Sequence, residues 1–463
     1  VHQRTAVTLM QRFPETALEQ PELLAHHLEQ AGALSEAIDQ LALAGTRATA
    51  RSAHVESARL FERALELLAQ TPPGVARDQR EVSLQLGLAP PLITTRGYAS
   101  EAAEHLLRRA HALAANVGDL SSRFAVARGL AIYHASRAEY GRARPFAEQC
   151  RALADQAGSP ELFLGASAPL IHTSFFVGDL PATLEVCERV AALYDPARHG
   201  QLAYQLGEDP GVVCAVYRAL ALQLAGRGAE ALAAQTVAER LAAAFDNPTS
   251  QAIVQIYTGW LHQIREEPAE ALARAERALA ITDRQALHFW GWFASLLRGW
   301  ARGASRDPGA ELGQMRRSLA SWQGAGTRIG CSAFLLWIAD LERRAGHLAD
   351  AARSAAEARE HAEKSGERHV LSEILRLEGE LAAALDPSDP VQAEQTLRAS
   401  LAAAESQAAW FYALRSATSL ARERAARGRP EEARSLLELH VSRFAAEPGF
   451  PELCAARELL ALL

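Results

Sequence analysis

Small residues recur along this chain at a spacing that a stacked array of helices explains. Ala103, Ala143, Thr183, Ala231, Ala271, Glu311, Ala351, Ala393 and Ala433 follow one another at gaps of 40, 40, 48, 40, 40, 40, 42 and 40 residues. All but Glu311 are small. A fixed period of this length, broken by one eight-residue and one two-residue insertion, implies units that bury their apolar faces on their neighbours. Twelve residues before these anchors stand Ala131, Ala219, Gly259, Gly299, Ala339 and Ala421, with Gly379 fitting once the two-residue insertion is allowed for. A small side chain there lets two helices approach closely; Ile171 breaks the rule. Seven residues after the anchors, two helical turns further along the same face, come Ala110, Cys150, Val190, Ala238, Ala278, Ser318, Ala358 and Ser400, with His440 the exception.

The boundaries between helices are written in the same register. Pro268, Pro308, Pro390 and Pro430 each precede an anchor by three residues, the first-turn place where a missing N–H costs nothing. Gly178, Gly226, Gly346 and Gly428 precede theirs by five, where a left-handed residue ends the helix before. Each unit therefore reads as helix, tight turn, helix. Small residues at positions 8, 20 and 27 of a unit are the tetratricopeptide (TPR) pattern, here stretched to about 40 residues from the usual 34. The expected fold is all-α, an alpha-alpha superhelix of TPR-like helix pairs without a sheet. Upstream, Ser57, Phe61 and Ala64 fit the second-helix pattern, and Ala37 with Ala44 fits it loosely. Residues 1–50 read as a helical junction and 51–463 as the array.

Composition narrows the function classes. Hydrophobic residues make up 49% and charged residues 22% of the 463, with a net charge of −7 and no basic stripe, so neither nucleic acid nor a membrane surface is an expected partner. No stretch approaches the roughly 18 apolar residues of a spanning helix, and the opening lacks a signal-peptide layout, so the expected location is cytoplasmic. The five cysteines are odd in number, far apart and free of any CxxC pair, which suits buried thiols better than disulfides or a zinc site. The chain opens on Val1 without an initiator methionine and is expected to be a piece of something longer.

The stretch PELLAHHLEQAGALSEAIDQLALAGTRATARSAHVESARLFERALELL resembles the junction that follows the ATPase module in bacterial class III nucleotide cyclase–ATPase–TPR proteins, and the repeats resemble those of STAND-type ATPases, including MalT-like TPR arrays. YDPARHGQLAYQLGEDPGVVC and GERHVLSEILRLEGELAAAL, the latter with Glu373, Arg376, Gly379 and Glu380, extend the likeness. The resemblance implies a C-terminal arm that senses an inducer or partner and restrains or releases an output domain, with the catalytic domains upstream.

No catalytic signature is present. Lys364 is the lone lysine and lacks the glycines of a phosphate loop; HExxH and GxSxG are absent, and no triad register appears. No enzymatic activity and no cofactor are expected. His26 and His27 are neighbours whose side chains diverge by about 100° on a helix, so packing or capping is expected of them and no metal site. Glu266 with Glu267, and Glu431 with Glu432, sit where second helices begin and favour the helix dipole.

Two features exceed what stacking needs. The insertion after Val190 holds Tyr194, Asp195, His199, Tyr204, Glu208, Asp209 and Pro210; it is either a regulatory loop, with His199, Glu208 and Asp209 as its working residues, or a helix extension. The other is the tryptophans, six of seven of which lie between residues 260 and 337. Trp260 and Trp300 hold equivalent positions in adjacent units, and with Trp292, Asp340 and Arg343 they suit a concave surface for a protein, a peptide or a small-molecule inducer. The competing arrangement tilts those rings into the packing between units. Three readings of function follow: a TPR-like arm regulating a signalling ATPase with a cyclase output, a small-molecule sensor domain of a STAND regulator, and an autonomous TPR scaffold.

Overall fold

A computed structural model describes residues 1–51, 53–96, 100–244, 247–444 and 450–463. Every regular element among them is a helix. The chain divides into two units, one made of Val1–Arg137, Pro145–Ala157 and Ala325–Thr327, the other of Ala138–Arg144, Gly158–Gly324 and Arg328–Leu463.

In the first unit the helices His2–Arg12, Pro14–Glu19, Pro21–Gln30, Leu34–Ala50, His54–Ala69, Val75–Arg96, Glu101–Val117 and Leu120–Ser136 follow one another. Ala37, Ala44, Phe61 and Ala64 lie in one apolar core with Leu24, Leu28, Leu67 and Leu107. Ser57 is buried where a small residue was expected, and its hydroxyl donates to the Gly45 carbonyl at 2.8 Å. That bond satisfies the buried hydroxyl and brings His54–Ala69 against Leu34–Ala50.

Among the described residues the second unit stacks seven helix pairs. Their first helices are Pro160–Phe175, Pro210–Leu224, Pro248–Ile264, His288–Ser305, Cys331–Arg344, Leu371–Leu385 and Trp410–Ala426. Their partners are Leu180–Leu193, Gly228–Ala244, Pro268–Arg284, Pro308–Gly324, Leu348–Ser365, Pro390–Ser406 and Pro430–Ser442, with Pro451–Leu462 following the last pair. The anchors behave as the spacing requires: Thr183, Ala231, Ala271, Ala351, Ala393 and Ala433 are all 0% exposed, whereas Glu311 stays partly exposed. The close approach is severe at Gly259, where a β-carbon would stand 2.4 Å from Leu297 Cδ2, and at Gly299, where it would stand 2.4 Å from Met315 Cγ.

The four turn glycines adopt φ between +73° and +81°. Ala138 and Glu266 take the same left-handed place without a glycine, at a cost of about 1–2 kcal/mol each. For Glu266 the tertiary use of its side chain, described below, offsets that cost.

The burial of the anchors yields a direct prediction. Ala271→Phe or Ala351→Phe forces a ring into a junction without free volume and is expected to destabilise the chain by about 1–3 kcal/mol. Urea denaturation measures it; an unchanged midpoint would show that the anchors do not set the helix spacing.

Candidate functional site

The first helices of the second unit direct their aromatic side chains to a common interior, and there the rings meet. Trp260 lies within 6.5 Å, centroid to centroid, of Phe175, Phe176, Tyr257, Phe293, Trp337 and the imidazole of His369. Those partners come from pairs far apart in sequence, so the unit winds tightly enough for successive pairs to share one core. Phe293 extends the cluster to Trp322 and Phe334, and the Tyr217 and Tyr257 hydroxyls hydrogen-bond at 2.9 Å. Of the two arrangements open for the tryptophans, Trp260 and Trp300 take the packed one and not the concave surface: they are 2% and 0% exposed. Small residues on the same helices bring the backbones close, and the interior left between them is filled by these rings. Trp292 is half-buried on His288–Ser305.

Where the row turns polar it becomes an ion network. Trp300 Nε1 donates to Asp340 Oδ2 at 3.4 Å, and Asp340 pairs with Arg343 at 2.9 Å and Arg344 at 2.8 Å. Burial alone would raise the Asp340 carboxyl, but Arg344 and Arg343 outweigh it and hold the pKa below the ordinary value. Arg344 reaches back to Glu266 at 2.6 Å, and Arg415 reaches the same carboxylate at 3.4 Å. Arg415 also pairs with Glu373 at 3.2 Å, and Arg376 joins Glu373 at 3.0 Å to Glu380 at 2.6 Å. Glu266 therefore serves a contact across 149 residues, which corrects its assignment to the helix dipole. Asp340 meets the Trp300 indole N–H and Arg343 joins through Asp340, so both belong to a packed network around a buried indole and not to the rim of an open one.

A short connection missed in the sequence closes the interior. Gly366 ends Leu348–Ser365 in the left-handed conformation, and residues 367–369 then cross to the turn that follows Pro160–Phe175. The Arg368 N–H donates to the Phe176 carbonyl at 2.7 Å, and Gln407 Nε2 donates to the Arg368 carbonyl at 2.9 Å. Glu367 is 0% exposed. It accepts from Tyr140 Oη at 2.8 Å, Gly330 N at 2.6 Å, Ser332 N at 3.3 Å and Ser332 Oγ at 2.5 Å. Four donors on one carboxylate satisfy a buried charge that would otherwise be costly. His369, 1% exposed, lies among Phe175, Phe176 and Trp260, with its backbone N–H donating to the Phe176 carbonyl at 3.3 Å.

The insertion is a helix extension in form. It contains the short helices Pro196–His199 and Leu202–Leu206. Asp209 is buried; it caps Pro210–Leu224 by accepting from Val212 N at 2.9 Å and takes the Tyr194 hydroxyl at 2.7 Å. His199 is buried as well, accepting from the Asp195 N–H at 2.9 Å through Nδ1. Of the two arrangements open for the insertion, the burial and capping contacts of these residues fit the helix extension. Glu208 is half-buried, and its charge adds to the burial that raises the Tyr217 phenol. The side chain of Tyr204 lies outside the described residues.

Elsewhere, Cys150, Cys187, Cys214 and Cys331 are buried as expected, but Cys454 is exposed. His26 and His27, expected to diverge, converge with His2 in the first unit.

No family model matches the chain. An uncharacterized protein of Rhizobium meliloti (strain 1021) is 27% identical over 398 residues, which is 83% of this chain and 37% of that protein. The chain thus spans little more than a third of that relative's length. Among solved structures it is similar to the APC/C hetero-tetramer Cut9-Hcn1, with a TM-score of 0.49, 13% identity and coverage of 100% of this chain and 86% of that one. Yeast Tom70 is similar with a TM-score of 0.37, 13% identity and coverage of 100% and 96%.

The buried imidazole makes stability depend on pH. Burial holds the His369 pKa down to about 4, against the opposing pull of the Glu367 charge. An unfolded histidine takes its proton near 6.5, so between those values the unfolded state binds more protons and stability falls as pH falls. His369 is expected to remove about 2 kcal/mol between pH 7 and pH 5. Urea denaturation at both pH values should show that much less loss in His369→Phe; equal losses would contradict a neutral buried ring.

Proposed function

We propose that this chain is the TPR-like interaction arm of a multidomain bacterial signalling ATPase with a nucleotide cyclase output. It acts by holding a protein partner, or other domains of its own parent, and has no chemistry of its own. The filled interior of the second unit carries this reading. With Trp260, Trp300, Glu367 and His369 occupying the space, the outer faces and ends of the helix pairs are what meets a partner. Residues 1–50 are the junction following the ATPase module and 51–463 the array. The greater length of the Rhizobium relative agrees with a parent that carries further domains. No helix among the described residues is long and apolar enough to cross a membrane, and the reading places the arm in the cytoplasm. Half-buried Glu208 and Trp292 are the contact points it assigns.

In the full-length parent, deleting residues 1–463 is expected to change basal cyclic nucleotide production several-fold, while the isolated chain neither binds ATP nor makes a cyclic nucleotide. An unchanged basal rate, or micromolar ATP binding by the isolated chain in calorimetry, contradicts the reading.

His369 favours a second reading, a small-molecule inducer held in the second unit. Its buried imidazole lies within an aromatic wall, and a polar ring among apolar ones is a pairing that ligand sites use. Native mass spectrometry of the chain purified from its host tests it: a bound small molecule lost in His369→Phe supports an inducer site, and its absence from the unmodified chain removes that reading.

A further inference from the structure

The first unit brings together three imidazoles that none of the stacking requires. His2 begins the helix His2–Arg12, which packs against Pro21–Gln30, the helix carrying His26 and His27. Neighbouring side chains on one helix point about 100° apart. His2 lies against both, with ring centroids 5.8 Å from His26 and 5.1 Å from His27, while the two neighbours are 5.4 Å apart. One nitrogen from each ring lies within 4.8 Å of the others, and His2 Nδ1 stands 2.9 Å from His27 Nδ1.

A hydrogen bond accounts for the His2 and His27 pair but not for the third ring. His26 is the exposed member of the three, and the other two are half-buried. A tetrahedral ion with metal–nitrogen bonds of about 2.0–2.1 Å separates its nitrogen ligands by roughly 3.3 Å. The His2 and His27 pair would open by a few tenths of an ångström, and the widest pair would close by about 1.5 Å at most. A side-chain rotation of exposed His26 supplies that movement, and solvent completes the fourth position. Three neutral nitrogen donors without a carboxylate select a borderline divalent ion over magnesium or calcium, which take oxygen ligands.

We propose that His2, His26 and His27 form a site for a divalent ion of the zinc class, which fastens the helix His2–Arg12 onto Pro21–Gln30. Zinc titrated into the tag-free full chain against a fluorescent chelator is expected to bind at one equivalent. The affinity should fall roughly tenfold or more in His26→Ala and in His2→Ala. His26 is exposed, so His26→Ala retains the fold, which circular dichroism checks, and cobalt in place of zinc should show the visible bands of a four-coordinate ion. Equal affinity in both variants, or no binding below millimolar zinc, overturns the site. Loss in His2→Ala without loss in His26→Ala also overturns it, since that pattern is a chelate of the terminal amine with His2.

Discussion

The close approach of helix backbones at small residues is the constraint on which the second unit depends. Ala271 and Ala351 are fully buried, and Gly259 leaves no space for a methyl group against Leu297. Each contact fixes the spacing of one helix pair to the next, and because each unit touches chiefly its neighbours, the local spacings accumulate into the winding of the whole stack. Tight winding then sets the fate of every side chain that faces inward. Trp260 can meet Phe175 and Trp337 together because the pairs that carry them are drawn around a shared interior.

An interior closed in this way demands that its polar groups satisfy one another. Asp340, Glu373, Glu380 and Glu266 are matched by Arg343, Arg344, Arg376 and Arg415, four charges of each sign. Removing one member leaves its partners uncompensated, a larger loss than the pair's net contribution to stability. For that reason the network acts more on register than on total stability: Arg344 and Arg415 reach Glu266 only when pairs separated by 78 and 149 residues are correctly wound. Glu266 makes both contacts from a left-handed backbone position.

What was legible in the sequence was local. Anchors at 40-residue intervals, Pro268 and Pro430 opening helices, and Gly346 and Gly428 closing them each follow from geometry within a few residues, and the helix pairs stand where those signals put them. Closure was not legible, because it depends on an angle summed over many pairs and leaves no mark in any one period. Trp260 and Trp300 therefore looked like a groove lining, although the tilted arrangement was the one adopted. Asp209 was open to better reading, since an aspartate directly before Pro210 is a helix-start signal. Glu367 and His369 lie in a connection without periodicity, and their partners at Tyr140 and Phe176 are some 200 residues away. The histidine cluster of the first unit likewise requires knowing that two helices pack.

Trp260 and Trp300 are core of the second unit and not an open binding face. Urea denaturation of Trp260→Ala tests this most directly. Truncating a fully packed indole is expected to lower stability by about 3–5 kcal/mol. A loss below about 0.5 kcal/mol, the range of exposed surface positions, would contradict a closed interior and return Trp260 to a solvent-facing groove.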